Sequence, residues 1–205
     1  MAAQLDSLPK VRNGISREIA AFAASFEASA IPPEVIERTK HLILDSIGIA
    51  IASGGYDFAK KAMAGIRALD SGAGESHVIG HNERLDLRNA ILMNGILVHG
   101  LDFDDTHARG VIHATASVLP TVLSLAAREG KSGQEMLAAY VLGMELATRL
   151  GAVAKGGFHQ LGFHPTGLVG TFGCAMSAAW LLGANENQCR DALGLSLSTA
   201  AGSLE

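Results

Sequence analysis

Between Lys155 and Glu186 the chain carries no formal charge, and within that interval TGLVGTFGCAMSAAWLLGA (166–184) is built almost wholly from small and apolar residues. Nineteen such residues approach the length of a membrane span. The glycines, alanines, serine and threonines replace the dense Leu, Ile and Phe of a lipid-facing helix, so the stretch reads as a buried core helix. A chain containing it must surround it with other helices. An interior glycine costs about 1 kcal/mol relative to alanine, and the chain has 24 glycines. Close approach of helices through small residues is the expected compensation. The fold class is therefore all-α, a multi-helix globular domain with small-residue helix packing.

The flanking sequence supports that reading. Ile15 to Ser29 places Ile15, Ile19, Phe22 and Phe26 at helical spacing. IPPEV (31–35) starts a second helix with Pro33 in the first turn, where its missing N–H is not needed, and Gly54-Gly55 stops it. A third helix covers about Phe58 to Leu69, and SGAGESHVIG (71–80) is the one strand-like piece. Further helices are expected from Asp86 to about Leu101, from His113 to Gly130 with a kink at Pro120, and from Ser132 to about Leu150. Ser132 with Glu135 and Asn185 with Gln188 have capping-box spacing. Residues 1–14 form an N-terminal segment ahead of a helical domain over 15–205.

Composition excludes some functions. The net charge is −4 and aromatics are 5%, so neither a basic surface nor stacking platforms exist for nucleic acid. Cys174 and Cys189 have no CxxC partner, which argues against a disulfide scaffold or zinc ribbon and points to a reducing, cytoplasmic setting. Two thiols are too few for an aconitase-type iron–sulfur cluster. MAAQLDSLPKVRNG lacks the apolar core of a signal peptide. No membrane partner is expected.

Polar chemistry concentrates in HGLDFDDTHARGVIH (99–113). On a helix continuing to Thr106, residues His99, Asp102 and Thr106 fall on one face, with Asp102 inward, Asp104 pointing elsewhere and Asp105 near the edge. A solvated helix end with an Asx-turn explains the same residues, and so does a metal site on His99, Asp102, Asp105 and His107. HExxH and the EF-hand pattern are both missing. A second polar island, KGGFHQLGFHPTG (155–167), puts His164 before Pro165 at a helix threshold. His113 stands likewise before ATAS (114–117). Two imidazoles beside helix N-termini suit an anionic substrate and acid/base work near neutral pH.

The pattern NG-x3-HG-x-DFDDTH-x5-H (94–113) followed by GFHPTG (162–167) resembles the MmgE/PrpD family, which includes 2-methylcitrate dehydratase, cis-aconitate decarboxylase and iminodisuccinate epimerase. The likeness extends to residues 31–54, HVIG (77–80) and GANENQCRDALGLS (183–196). It implies a large helical domain, a smaller α+β lid, and homodimers. It implies metal-independent, cofactor-free lyase or isomerase chemistry on a small polycarboxylate, and the expected reaction is 2-methylcitrate dehydration. By position the family's site residues fall on Asp102, Thr106, His113 and His164. His113 and His164 are expected to move protons, Asp102 to orient an imidazole, and Thr106 to bind a substrate carboxylate. His99, Arg109 and Lys155 are further candidates for substrate binding. A lysine segment of the family lies beyond Glu205, so this part alone is expected to be inactive. A metal-dependent hydrolase or hydratase using His99, Asp102, Asp105 and His107, and a non-catalytic helical dimerisation module, are the competing readings. Ala114 stands where the family often has proline.

Overall fold

The computed structural model describes residues 14–204. Nearly all of the N-terminal segment expected over 1–14 lies outside them. The elements run α1 (Ile15–Ala24), α2 (Pro33–Ser53), α3 (Asp57–Arg67), β1 (Ser76–His77), β2 (Arg84–Leu85), α4 (Leu87–His99), α5 (Ala114–Arg128), α6 (Gly133–Val153), α7 (Gly157–Gln160), α8 (Pro165–Leu181) and α9 (Glu186–Thr199). The two strands pair antiparallel, Ser76 with Leu85 and His77 with Arg84, and are the described sheet. The all-α expectation holds.

The charge-free stretch becomes α8, which packs between α5 and α6 and against α9. Gly143 of α6 and Gly173 of α8 face each other. A Cβ on Gly143 would stand 2.2 Å from Ser177 Oγ and 2.8 Å from Val118 Cγ1, and one on Gly173 would stand 2.7 Å from the Gly143 carbonyl. Helix axes this close leave no room for a side chain, which is the expected compensation at these positions, whereas Gly48 of α2, Gly65 of α3 and Gly194 of α9 face open space. Ser177, fully buried, donates to the Ala139 carbonyl at 2.7 Å and so loses no hydrogen bond by burial. One described helix, α6 rather than α8, is long and apolar enough to cross a membrane by length and composition. Its buried face, including Ala139, Tyr140, Leu142 and Leu146, packs into the helical core.

Helix starts follow local chemistry. Pro33 and Pro165 occupy the first turns of α2 and α8. Both capping boxes form: Ser132 Oγ accepts from Glu135 N at 3.2 Å, and Asn185 Oδ1 accepts from Gln188 N at 3.1 Å. Ser132→Ala is expected to lower stability by about 1 kcal/mol, read as a shifted urea midpoint at constant slope.

Several expectations need correction. α1 stops at Ala24, with a short 3-10 turn at Ala28–Ala30. Its buried residues are Ala20 and Ala23, while Ile15 and Phe22 are exposed. The small side chains let α1 lie close on α9, so Ala20 and Ala23 fill the buried contact, and of the four larger residues Ile19 and Phe26 pack at its edge. Arg84–Leu85 was missed as a strand because two residues have no periodicity to read. α7 was missed for the same reason. The hairpin matters because Asn94, completely buried on α4, holds it. Asn94 Oδ1 accepts from Ile79 N at 2.8 Å and its Nδ2 donates to the His77 carbonyl at 3.0 Å.

Candidate active site

The site forms where α4 ends and where α5 and α8 begin. α4 stops at His99, with Gly100 as its C-cap. A Cβ on Gly100 would meet the Phe58 ring at 2.3 Å, so only glycine permits the close contact with α3 at this helix end. The chain then leaves the helical path, and Asp102 adopts φ 55°, a left-handed conformation that aspartate tolerates better than most residues.

The single helical face proposed for His99, Asp102 and Thr106 therefore does not exist. The turn inverts the expected roles of the aspartates. The side chain of Asp104 is wholly buried, whereas that of Asp102 is 80% exposed. His99 Nδ1 donates to both carboxylate oxygens of Asp104 at 3.1 Å. His113 Nδ1 donates to the Asp104 carbonyl at 3.4 Å and stands 3.5 Å from its carboxylate. Asp102 Oδ1 lies 3.6 Å from His113 Nε2, beyond hydrogen-bond distance. The carboxylate that orients the imidazoles is Asp104. Gly100 was the available signal, since a glycine after a histidine at a helix end marks a stop.

His113 is the N-cap of α5 and His164 the N-cap of α8, as their positions before ATAS and Pro165 led us to expect. Neither side chain caps its own helix. The two N-termini are tied together by Thr166 Oγ1, which accepts from His113 N at 3.0 Å. Buried Ile112 and Ala114 on either side of His113 pack with Ala147 and Val169 and set its backbone. His164 N donates to the Gly202 carbonyl at 2.7 Å, and Phe163 pairs with Ser203. The departure at Ala114 shows in the backbone: His164 before proline has ψ 108°, whereas His113 before alanine has ψ 71°. A following proline disfavours the second value.

The rings of His99 and His113 are 5.0 Å apart, and those of His99 and His164 are 6.0 Å apart. His99 and His164 line a groove of roughly 710 Å³ together with Thr166, Ser117 and the apolar side of α4. His113 sits one ring further in. Thr106, Arg109 and Lys155 are exposed and none lines this groove. His107 is occupied locally, its Nδ1 accepting from Gly110 N at 3.1 Å. The set His99, Asp102, Asp105 and His107 is thus not brought together. The residues that do converge are His99, Asp102, Asp104 and His113, with one ligand-type atom from each lying within 4.8 Å of the others.

Electrostatics separates the histidines. The Asp104 hydrogen bond holds the His99 imidazole above its ordinary pKa against the opposing effect of burial, with the charges of Asp104 and Asp102 adding to the rise. Burial, then the neighbouring His99, His113 and His159, pushes His164 below its ordinary value. Asp105, also drawn inward, is raised chiefly by desolvation, and its Oδ1 is buried without a partner.

The chain matches the model of the MmgE/PrpD N-terminal domain over residues 17–205. It belongs to the MmgE/PrpD family. Among curated relatives it is similar to the cis-aconitate decarboxylase of Aspergillus terreus, 28% identical over 93% of this chain and 40% of the relative. It is likewise similar to the human cis-aconitate decarboxylase, 32% identical over 91% of this chain and 40% of the relative. The mouse protein of the same name is 30% identical over 91% of this chain and 39% of the relative. The chain thus spans about two fifths of the length of these relatives.

Proposed function

We propose that this chain provides the histidine wall of a lyase acting on small polycarboxylic acids. The observation that carries the reading is the meeting of His99, His113 and His164 at two helix N-termini, with buried Asp104 bridging the first two. The helix dipoles at the starts of α5 and α8 favour substrate carboxylates there. His99, held toward its imidazolium form, is the proton donor. His164, held toward its neutral form, is the acceptor. His113 and Asp102 stand beside them, and Thr106, Arg109 and Lys155 become substrate contacts only if residues outside this chain complete a second wall above their exposed loops.

The two finer reactions use this pair differently. In decarboxylation, the bond from carbon to a carboxylate breaks and CO₂ leaves. The electron pair stays on carbon, which takes the His99 proton. In dehydration, His164 removes a proton next to a carboxylate while His99 protonates the departing hydroxide, releasing water. The names of the relatives favour decarboxylation of cis-aconitate over the 2-methylcitrate dehydration read from the sequence. Cofactor-free catalysis, a lid domain beyond 15–205, a homodimer and a cytoplasmic setting belong to the same reading. Assaying the full-length protein against cis-aconitate, 2-methylcitrate and iminodisuccinate decides it. Carbon dioxide release from cis-aconitate is the expected result, and inactivity toward all three would reject the lyase.

The pKa directions predict a pH profile. The neutral base is lost as pH falls through a His164 value below 6.5, and the acid is lost as pH rises through a His99 value above 6.5. Turnover should therefore form a plateau spanning that pH. Stability has the same signs. The His99–Asp104 contribution is fully present below about pH 6.5 and lost as pH rises through the raised native value. Protonating His164 destabilises the fold as pH falls below about 6.5. His99→Gln should remove the alkaline dependence of the urea midpoint and leave the acid one.

A further inference from the structure

We propose that His99, Asp102, Asp104 and His113 form a binding site for a divalent transition-metal ion of the zinc class, and that filling it switches the histidine wall off. The binding half stands on geometry alone, and the switching half rests on the proposed function.

The donor set is two imidazoles and two carboxylates, the mixture that suits zinc and its neighbours and is poorly matched to magnesium or calcium, which prefer oxygen. Four ligands at about 2.1 Å in a tetrahedron stand about 3.4 Å from one another. Two separations that share Asp104 Oδ1 already fall near that edge, to His99 Nδ1 at 3.1 Å and to His113 Nδ1 at 3.5 Å, while Asp102 Oδ1 lies 3.6 Å from the opposite ring nitrogen of His113, Nε2. One donor atom from each of the four residues lies within 4.8 Å of the rest. Small side-chain rotations close the set.

The burial pattern is that of a site with a floor and a mouth. The Asp104 side chain is fully buried, His113 is 18% exposed, His99 35% and Asp102 80%. A buried carboxylate requires positive charge beside it. A protonated imidazole can supply that charge, and a metal ion seated between the imidazoles and Asp104 supplies it in its place. Asp102, on its turn at the mouth, is the residue free to swing in. An ion seated there takes an imidazole lone pair and the Asp104 oxygens at once. His99 could then no longer carry a transferable proton.

The test titrates the purified chain with Zn²⁺ by calorimetry and with Co²⁺ by visible absorption, which reports a tetrahedral nitrogen–oxygen ligand field. One ion per chain is expected, with no comparable binding of Mg²⁺. Asp102→Asn and His99→Gln should each weaken Zn²⁺ by at least about tenfold. Asparagine accepts the positive φ at position 102, so an unchanged circular dichroism spectrum is expected for that variant. Failure to bind one Zn²⁺, equal binding of Mg²⁺, or undiminished binding in both variants would overturn the site. In the full-length protein, Zn²⁺ should abolish turnover and a chelator should restore it. Turnover unaffected at saturating Zn²⁺ would overturn the switch while leaving the lyase reading intact. Inactivity without metal would instead reject the lyase and leave the titrations standing.

Discussion

His164→Asn is expected to lower kcat of the full-length protein by about 10²–10⁴, the usual worth of a positioned acid or base, with the fold preserved. Asparagine is among the best N-cap residues, and the backbone bond from residue 164 to the Gly202 carbonyl does not involve the imidazole. The variant therefore removes a proton acceptor without removing a helix start. Steady-state kinetics with a circular dichroism control checks it, and a loss confined to KM would show that His164 binds but does not transfer a proton. Asp104→Asn provides the contrast. It keeps the shape at the floor of the site but takes away the charge that raises His99. Its mark should be an alkaline limb moved to lower pH, with the acid limb set by His164 kept in place. An alkaline limb unmoved by this change would mean that His99 is not the donor.

Gly143→Val is expected to cost about 1–3 kcal/mol or more, the range for overpacking a well-filled core. Its Cβ alone would stand 2.2 Å from Ser177 Oγ, 2.8 Å from Val118 Cγ1 and 3.1 Å from the Gly173 carbonyl. Two of these obstacles belong to α8 and one to α5, the helices whose N-termini carry His164 and His113. Relief requires moving α8 away from α6, and that displacement reaches the Thr166–His113 hydrogen bond. The variant should thus lose thermal stability and activity together, although residue 143 lines no part of the groove. A Tm equal to that of the parent protein would show that the helices part without strain.

Much of the scaffold was legible because its signals are local. A proline in a first turn and a serine or asparagine three residues before glutamate or glutamine act within one helical turn, so Pro33, Pro165, Ser132 and Asn185 could be read directly. The same holds for His113 and His164, whose places at helix starts depend on the few residues that follow them. Asp104 could not be read that way. Its inward direction comes from the chain leaving the helical path after Gly100, where Asp102 turns to a positive φ, and from the histidines the chain then meets. Extending α4 to Thr106 gave Asp102 the part that belongs to Asp104. α1 misled for a related reason: apolar periodicity marks a face, but the close fit on α9 selected its alanines over Ile15 and Phe22.

By itself, then, the sequence determined the helical class, most helix beginnings and the convergence of the chain on MmgE/PrpD-type motifs, because these rest on periodicity, caps and short-range spacing. The tertiary structure decided which carboxylate is buried, which histidine is pushed toward the imidazolium and which toward the neutral form, and which candidates face the groove. Those properties are sums over neighbours brought in from α3, α4, α5 and α8. Desolvation and charge depend on distance in space, which spacing along the chain does not record once a helix has ended.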